Sequence, residues 1–184
     1  MLASIGILEL SSIAAGYSVQ DTVVKAAMVE ILIARTICPG KYIVVIGGKT
    51  EAVKTALKAG ENASLGFLAD KLLIPNVDKR VIPALSGCSE LPENYNKALG
   101  IIETFSASSI IRAADSAIKA ANVDLYKIHI AMAIGGKGYL LLCGDTGSVE
   151  AAVNAGVECI REEGMLLNKL VIFGVTKDLF KEYI

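Results

Sequence analysis

Short continuous apolar runs alternate along this chain with longer segments whose apolar positions recur every three or four residues. The first kind reads as buried strands and the second as helices. Residues 4–10 are a strand rich in Ile and Leu. Residues 18–28 carry Val19, Val23, Ala26 and Ala27 at helical spacing, with Ser18 as candidate N-cap. Residues 29–37 and 42–46 read as two strands joined by the turn Cys38-Pro39-Gly40-Lys41. The spacing of Val53, Ala56 and Leu57 predicts a helix over 50–66 capped by Thr50, followed by a strand at 71–74 and a short helix at 78–85. The same order then returns: strand 100–104, helix 108–121, strands 124–132 and 139–143, helix 148–162, strand 167–173 and a closing helix at 177–183.

The recurrence is also one of identity. Offset by 94, the chain repeats Gly6, Ile7, Glu9, Ser12, Asp21, Lys25, Ala26, Ala27 and Val29 as Gly100, Ile101, Glu103, Ser106, Asp115, Lys119, Ala120, Ala121 and Val123. Offset by 96, Gly40-Lys41 returns as Gly136-Lys137, and Gly48, Thr50, Val53, Ala56 and Ala59-Gly60 have counterparts up to Gly156. Solenoid periods run to roughly 20–50 residues, so this is a duplicated domain. The reading is α+β: two tandem split-βαβ, ferredoxin-like domains, each β-α-β-β-α-β. The first spans 1–85, a linker with Gly87, Pro92, Asn94 and Asn96 spans 86–97, and the second spans 98–184.

Composition then narrows the partners. A net charge of −1 with interspersed signs gives no pointer to a nucleic-acid surface or a basic membrane-binding face. A 53% hydrophobic content is more than two small domains can hide alone, so the chain is expected to self-associate. No apolar run approaches the ~20 residues a spanning helix needs. The first ten residues lack a basic n-region and carry Glu9 where an apolar core should continue, which reads as a cytosolic protein. Cys38, Cys88, Cys143 and Cys159 are widely spaced and form no Cys-x-x-Cys pair. They read as free thiols or metal ligands rather than a disulfide framework.

Gly-apolar-apolar-Glu on the first strand of each half, Lys-Ala-Ala-x-Val closing the first helix, the Gly-Lys turn and the Gly-x-Thr-x-x-Val entry to the second helix together resemble the shell proteins of bacterial microcompartments. Two such domains in unpermuted order resemble the tandem-domain trimeric class of that family. The hexapeptide Thr36-Ile-Cys-Pro-Gly-Lys41 resembles its iron–sulfur-carrying members from propanediol-utilisation microcompartments. The resemblance implies a homotrimer forming a pseudo-hexagonal tile in a shell within the bacterial cytoplasm. It implies other shell proteins as partners in a hexagonal sheet, and an encapsulated redox enzyme as an electron partner. It places Cys38, Pro39, Gly40, Ile134, Gly135 and Gly136 around a central pore and makes Lys25 and Lys119 the tile-edge lysines.

A lone cysteine cannot hold an iron–sulfur cluster, but three-fold symmetry turns one Cys38 per chain into three. The resemblance therefore implies one [4Fe–4S] cluster per trimer, with a water or small exogenous ligand on the fourth iron, serving electron transfer across the shell. Pro39 stiffens the turn and Gly40 lets the backbone approach. One alternative keeps the tile but makes the axis an open metabolite or cofactor pore. Another, of a different class, is a ligand-sensing domain pair. Cys143 and Cys159 read as small buried hydrophobes and His129 as a surface or interface residue. Gly47-Gly48-Lys49-Thr50 lacks the phosphate-loop spacing and reads as a strand-to-helix turn. No catalytic set can be assembled, so the protein reads as structural rather than enzymatic. The family's basic residue after the fourth strand is missing from both halves, and Arg80 is a candidate substitute at the tile edge.

Overall fold

The computed structural model describes residues 3–87, 89–93 and 95–180. Cys88 and Asn94 of the linker, and the last part of the helix predicted at 177–183, lie outside the described residues. The elements are β1 (Ser4–Leu10), α1 (Ile13–Ala26), β2 (Glu30–Ile37), β3 (Lys41–Gly48), α2 (Thr50–Ala63), β4 (Leu68–Pro75) and the short α3 (Val81–Leu85). The second half gives β5 (Ala98–Thr104), α4 (Ala107–Ala120), β6 (Asp124–Ile130), β7 (Gly138–Gly144), α5 (Thr146–Glu158) and β8 (Leu166–Phe173), with 3-10 turns at Arg161–Glu163 and Lys177–Phe180. Each half forms an antiparallel sheet, ordered β2-β3-β1-β4 and β6-β7-β5-β8. This is the split-βαβ arrangement expected from the hydrophobic pattern.

Two predicted caps are corrected. Ser12, not Ser18, caps α1 by accepting the Ala15 N–H at 3.3 Å, and its counterpart Ser106 accepts from Ser108 and Ser109. Thr50 is the first residue of α2 rather than its cap; its hydroxyl meets that of Ser4 at 2.8 Å. The early start of α1 was masked by Gly16, a poor helix former. A Cβ there would lie 2.3 Å from the Tyr42 ring, so glycine is what lets that ring pack against the helix. In the second repeat the sizes are exchanged: Ile110 stands on the helix, and Gly138 on the strand makes room for it. Each contact pairs one bulky side chain with one glycine, placed on opposite elements in the two repeats.

The described residues cluster by contact into two compact units, those within 1–77 and 131–136, and those within 78–130 and 137–184. The core of the first is Leu8, Leu10, Val19, Val23, Tyr42, Val44, Ile46, Val53, Ala56 and Leu57, between one sheet face and the two long helices. Gly6 belongs to that face and lets α2 approach, since a Cβ would meet Val53 and Leu57 within 3 Å. Contacts divide the chain earlier than composition does: residues 78–85 pack with unit two, against β6 and α4, rather than closing the first domain. The apolar Val81, Ala84 and Leu85 of α3 are all buried there.

The segment is fastened by charge as well. Arg80 donates from Nε and NH2 to the Asp78 carboxylate, from NH1 to the Val123 carbonyl and from NH2 to the Ile118 carbonyl, each at 2.9 Å. The last two are carbonyls around the C-terminal end of α4, where a cation is also favoured by the helix dipole. The Asp78 backbone N–H donates to Asp115 at 2.8 Å, and Lys119 donates to the other oxygen of that carboxylate at 2.6 Å.

Candidate functional site at the β2–β3 turn

Strand β2 ends at Ile37 and β3 starts at Lys41, paired with each other, so Cys38-Pro39-Gly40 is the tip of a hairpin. Cys38 is half-buried, while Pro39 and Gly40 are exposed. Gly40 has φ +71°, a left-handed conformation that glycine adopts without penalty. Within the same unit, the Cys38 N–H donates to the Ala131 carbonyl at 3.1 Å. Gly136, at φ +85°, lies so close that a Cβ would sit 2.8 Å from the Cys38 carbonyl oxygen and 3.0 Å from Pro39 Cδ. The structure therefore brings Cys38, Pro39 and Gly136 together. Ile134 and Gly135 lie on the same short loop, Ile134 half-buried and Gly135 exposed.

Behind the tip sits a pair that the sequence reading passed over. Lys41 Nζ donates to Glu9 Oε1 at 2.7 Å; Glu9 is almost wholly buried, and its Oε2 is buried without a hydrogen-bond partner. In the second repeat Lys137 meets Glu103 at 3.2 Å with both side chains more open. The signal was present: Glu9/Glu103 and Lys41/Lys137 are among the identities between the halves, and β1 lies beside β3 in each sheet.

The other singled-out residues stay apart from this tip. Burial, with the Asp124 charge adding to it, pushes the Cys143 thiol up to about 12, and burial raises Cys159, whose sulfur lies 3.1 Å from the Gly156 carbonyl. Neither is poised as a thiolate. His129 is half-buried and stacks on Tyr139 at 5.2 Å. Lys25 is exposed and pairs with the exposed Asp21; Lys119 pairs with the buried Asp115. Arg80, the candidate edge cation, is engaged inside unit two. Among the described residues no group of three or more Cys, His, Asp or Glu side chains could hold a metal within one chain. Among the described residues, no helix is long and apolar enough to cross a membrane.

Two split-βαβ domains in tandem, with a glycine in the turn between the middle strands of each, define a two-domain protein of the microcompartment shell type. The BMC domain model matches residues 4–77 and 98–174, and the chain belongs to that family. It is similar to the bacterial microcompartment shell protein PduT of Citrobacter freundii, 42% identical over 172 residues covering 94% of this chain and 92% of that one. It is also similar to a microcompartments protein of Desulfitobacterium hafniense DCB solved by crystallography: TM-score 0.91, 45% identity, 98% of this chain and 99% of that chain covered. A fused permuted hexameric shell protein from the RMM microcompartment shares the fold, with a TM-score of 0.63 and 22% identity over 86% of this chain and 83% of that one.

Proposed function

We propose that this chain is a trimeric tile of a bacterial microcompartment shell in which three Cys38 thiolates, one per copy, hold a [4Fe–4S] cluster on the three-fold axis. The observation that carries the reading is the place of Cys38: a hairpin tip, half-buried beside two exposed residues, in a member of a shell family. One chain supplies one such thiol, so the donor set fits a cluster only where copies meet around an axis. The bound cluster supplies one-electron transfer. Pro39 and Gly40 shape the turn, Gly136 admits the close backbone packing, and the Lys41–Glu9 pair fixes the root of the hairpin. Other shell proteins adjoin the tile in a hexagonal sheet, Lys25 and Lys119 lie at its edges, and an enclosed redox enzyme exchanges electrons with it.

Self-association has independent support in bare surfaces. Tyr17 on α1 is 62% exposed, whereas its counterpart Ile111 on α4 is 0% exposed. Leu170 on β8 is 50% exposed, whereas its counterpart Leu72 on β4 is 8% exposed. Each chain thus has one bare helix face and one bare sheet face whose equivalents are covered. Head-to-tail pairing of the two in successive copies buries both and closes a ring when the rotation allows it.

The test is anaerobic purification with a visible spectrum and iron and sulfide per trimer, alongside Cys38→Ala. A brown trimer with about one four-iron cluster, colourless but still trimeric after Cys38→Ala, is the expected result. A trimer that stays colourless after anaerobic reconstitution removes the cluster and leaves an open pore as the role of the axis.

A further inference from the structure

The surface that residues 78–85 fill on unit two exists a second time on unit one, and there it is more open. On unit two it consists of the end of α4 and the start of β6, where Asp115, Ile118, Val123 and Leu125 are all buried. Their repeat counterparts are Asp21, Val24, Val29 and Ile31; the first two are exposed and the others only half-buried. The filling segment also has a counterpart. Pro75 pairs with Ser4 and Phe173 with Ala98, so six residues beyond each strand end stand Val81 and Leu179. Val81 is 0% exposed and Leu179 is 53% exposed.

We infer that Leu179 of one copy docks on the α1–β2 surface of a second copy, doing between chains what Val81 does within unit two. The segment is held ready for this. Phe180 packs edge-on against Tyr95 and Tyr126 of its own unit, with centroids 5.6 and 5.4 Å away, while the neighbouring Leu179 remains exposed. The two contacts differ in kind. Asp178 stands where Arg80 would be, so no guanidinium is available to bind helix-end carbonyls, and the contact between copies rests on apolar burial. The inference rests on the self-assembly in the proposed function.

A photo-reactive benzophenone amino acid placed at position 179, in a mixture of isotope-labelled and unlabelled chains, tests it directly. The expected product joins position 179 to peptide 21–31 of a different chain. In parallel, Leu179→Asp is expected to weaken trimer formation about tenfold or more in sedimentation without changing the circular dichroism of the fold. Cross-links confined to one chain or to other peptides, or a Leu179→Asp trimer as tight as the parent, overturn the inference while leaving the trimer intact. A parent protein that is monomeric at every concentration overturns the self-assembly reading, and this inference with it.

Discussion

Helices α1 and α4 occupy equivalent places in the two repeats, have the same length and share Asp, Lys and Ala at matched positions, yet they meet different surroundings. The outer stripe of α1, with Ile13, Tyr17, Asp21 and Val24, is exposed; the matching Ala107, Ile111, Asp115 and Ile118 are buried. Part of the cover on α4 is residues 78–85, which bring Arg80 to its terminal carbonyls and a backbone N–H to Asp115. The lesson is that a duplicated domain need not present duplicated surfaces. One copy of a helix is locked into its unit, and the other leaves the same stripe exposed.

The largest expected contrast comes from placing a carboxylate at matched positions. Ile111→Asp buries an unpaired charge and should cost about 4 kcal/mol or more, seen as loss of the cooperative denaturant transition. Tyr17→Asp should cost the fold under about 1 kcal/mol, chiefly through its ring contact with Tyr42 at 5.0 Å. It should show instead as weakened self-association in sedimentation. Equal damage from both would erase the distinction between the helices.

Next in size is the clamp itself. Arg80→Ala should lower unfolding stability by about 2–3 kcal/mol and open α4, with amide exchange rising at Val123 and across 115–120. A change confined to surface residues would show that the clamp does not hold the helix. A related effect appears with pH. Hydrogen bonds from Arg80 hold the Asp78 carboxyl down to about 2, against an ordinary 3.8. A depressed carboxylate stabilises the fold above its unfolded value, and that stability is lost as pH falls through the folded value. Roughly 2 kcal/mol should therefore disappear between about pH 4 and pH 2, and Asp78→Asn should remove that part of the pH dependence. A wild-type acid titration matching that of Asp78→Asn would rule the linkage out.

The smallest effect is expected at Lys25. Its pair with Asp21 lies in solvent, so Lys25→Ala should change stability by no more than about 0.5 kcal/mol in a denaturant melt. Lys119→Ala should cost more, because it leaves the buried Asp115 carboxylate with one donor fewer.

Much of this was legible beforehand. The repeat exposed the duplicated β-α-β-β-α-β order, because helix and strand periods survive substitution at single positions. The position of Cys38 on a turn followed from Pro39 and Gly40 flanked by two apolar runs. Less legible was the start of α1, since Ser11-Ser12 and Gly16 look like loop until Tyr42 is known to occupy the space above the glycine. The Glu9–Lys41 pair was hidden because its partners are 32 residues apart and meet only through the register of β1 on β3.

The sequence by itself determined the two domains, the order of their strands and helices, and the presentation of one thiol on a hairpin tip. These depend on local periodicity and turn chemistry, which are written in consecutive residues. Tertiary structure alone decided that residues 78–85 pack with unit two, that the loop at 131–136 packs on the Cys38 turn, and that α4 is covered while α1 is bare. Periodicity states which side of an element must leave water, but not which distant segment will cover it. That choice falls to shape and hydrogen-bond complementarity between residues far apart in the chain.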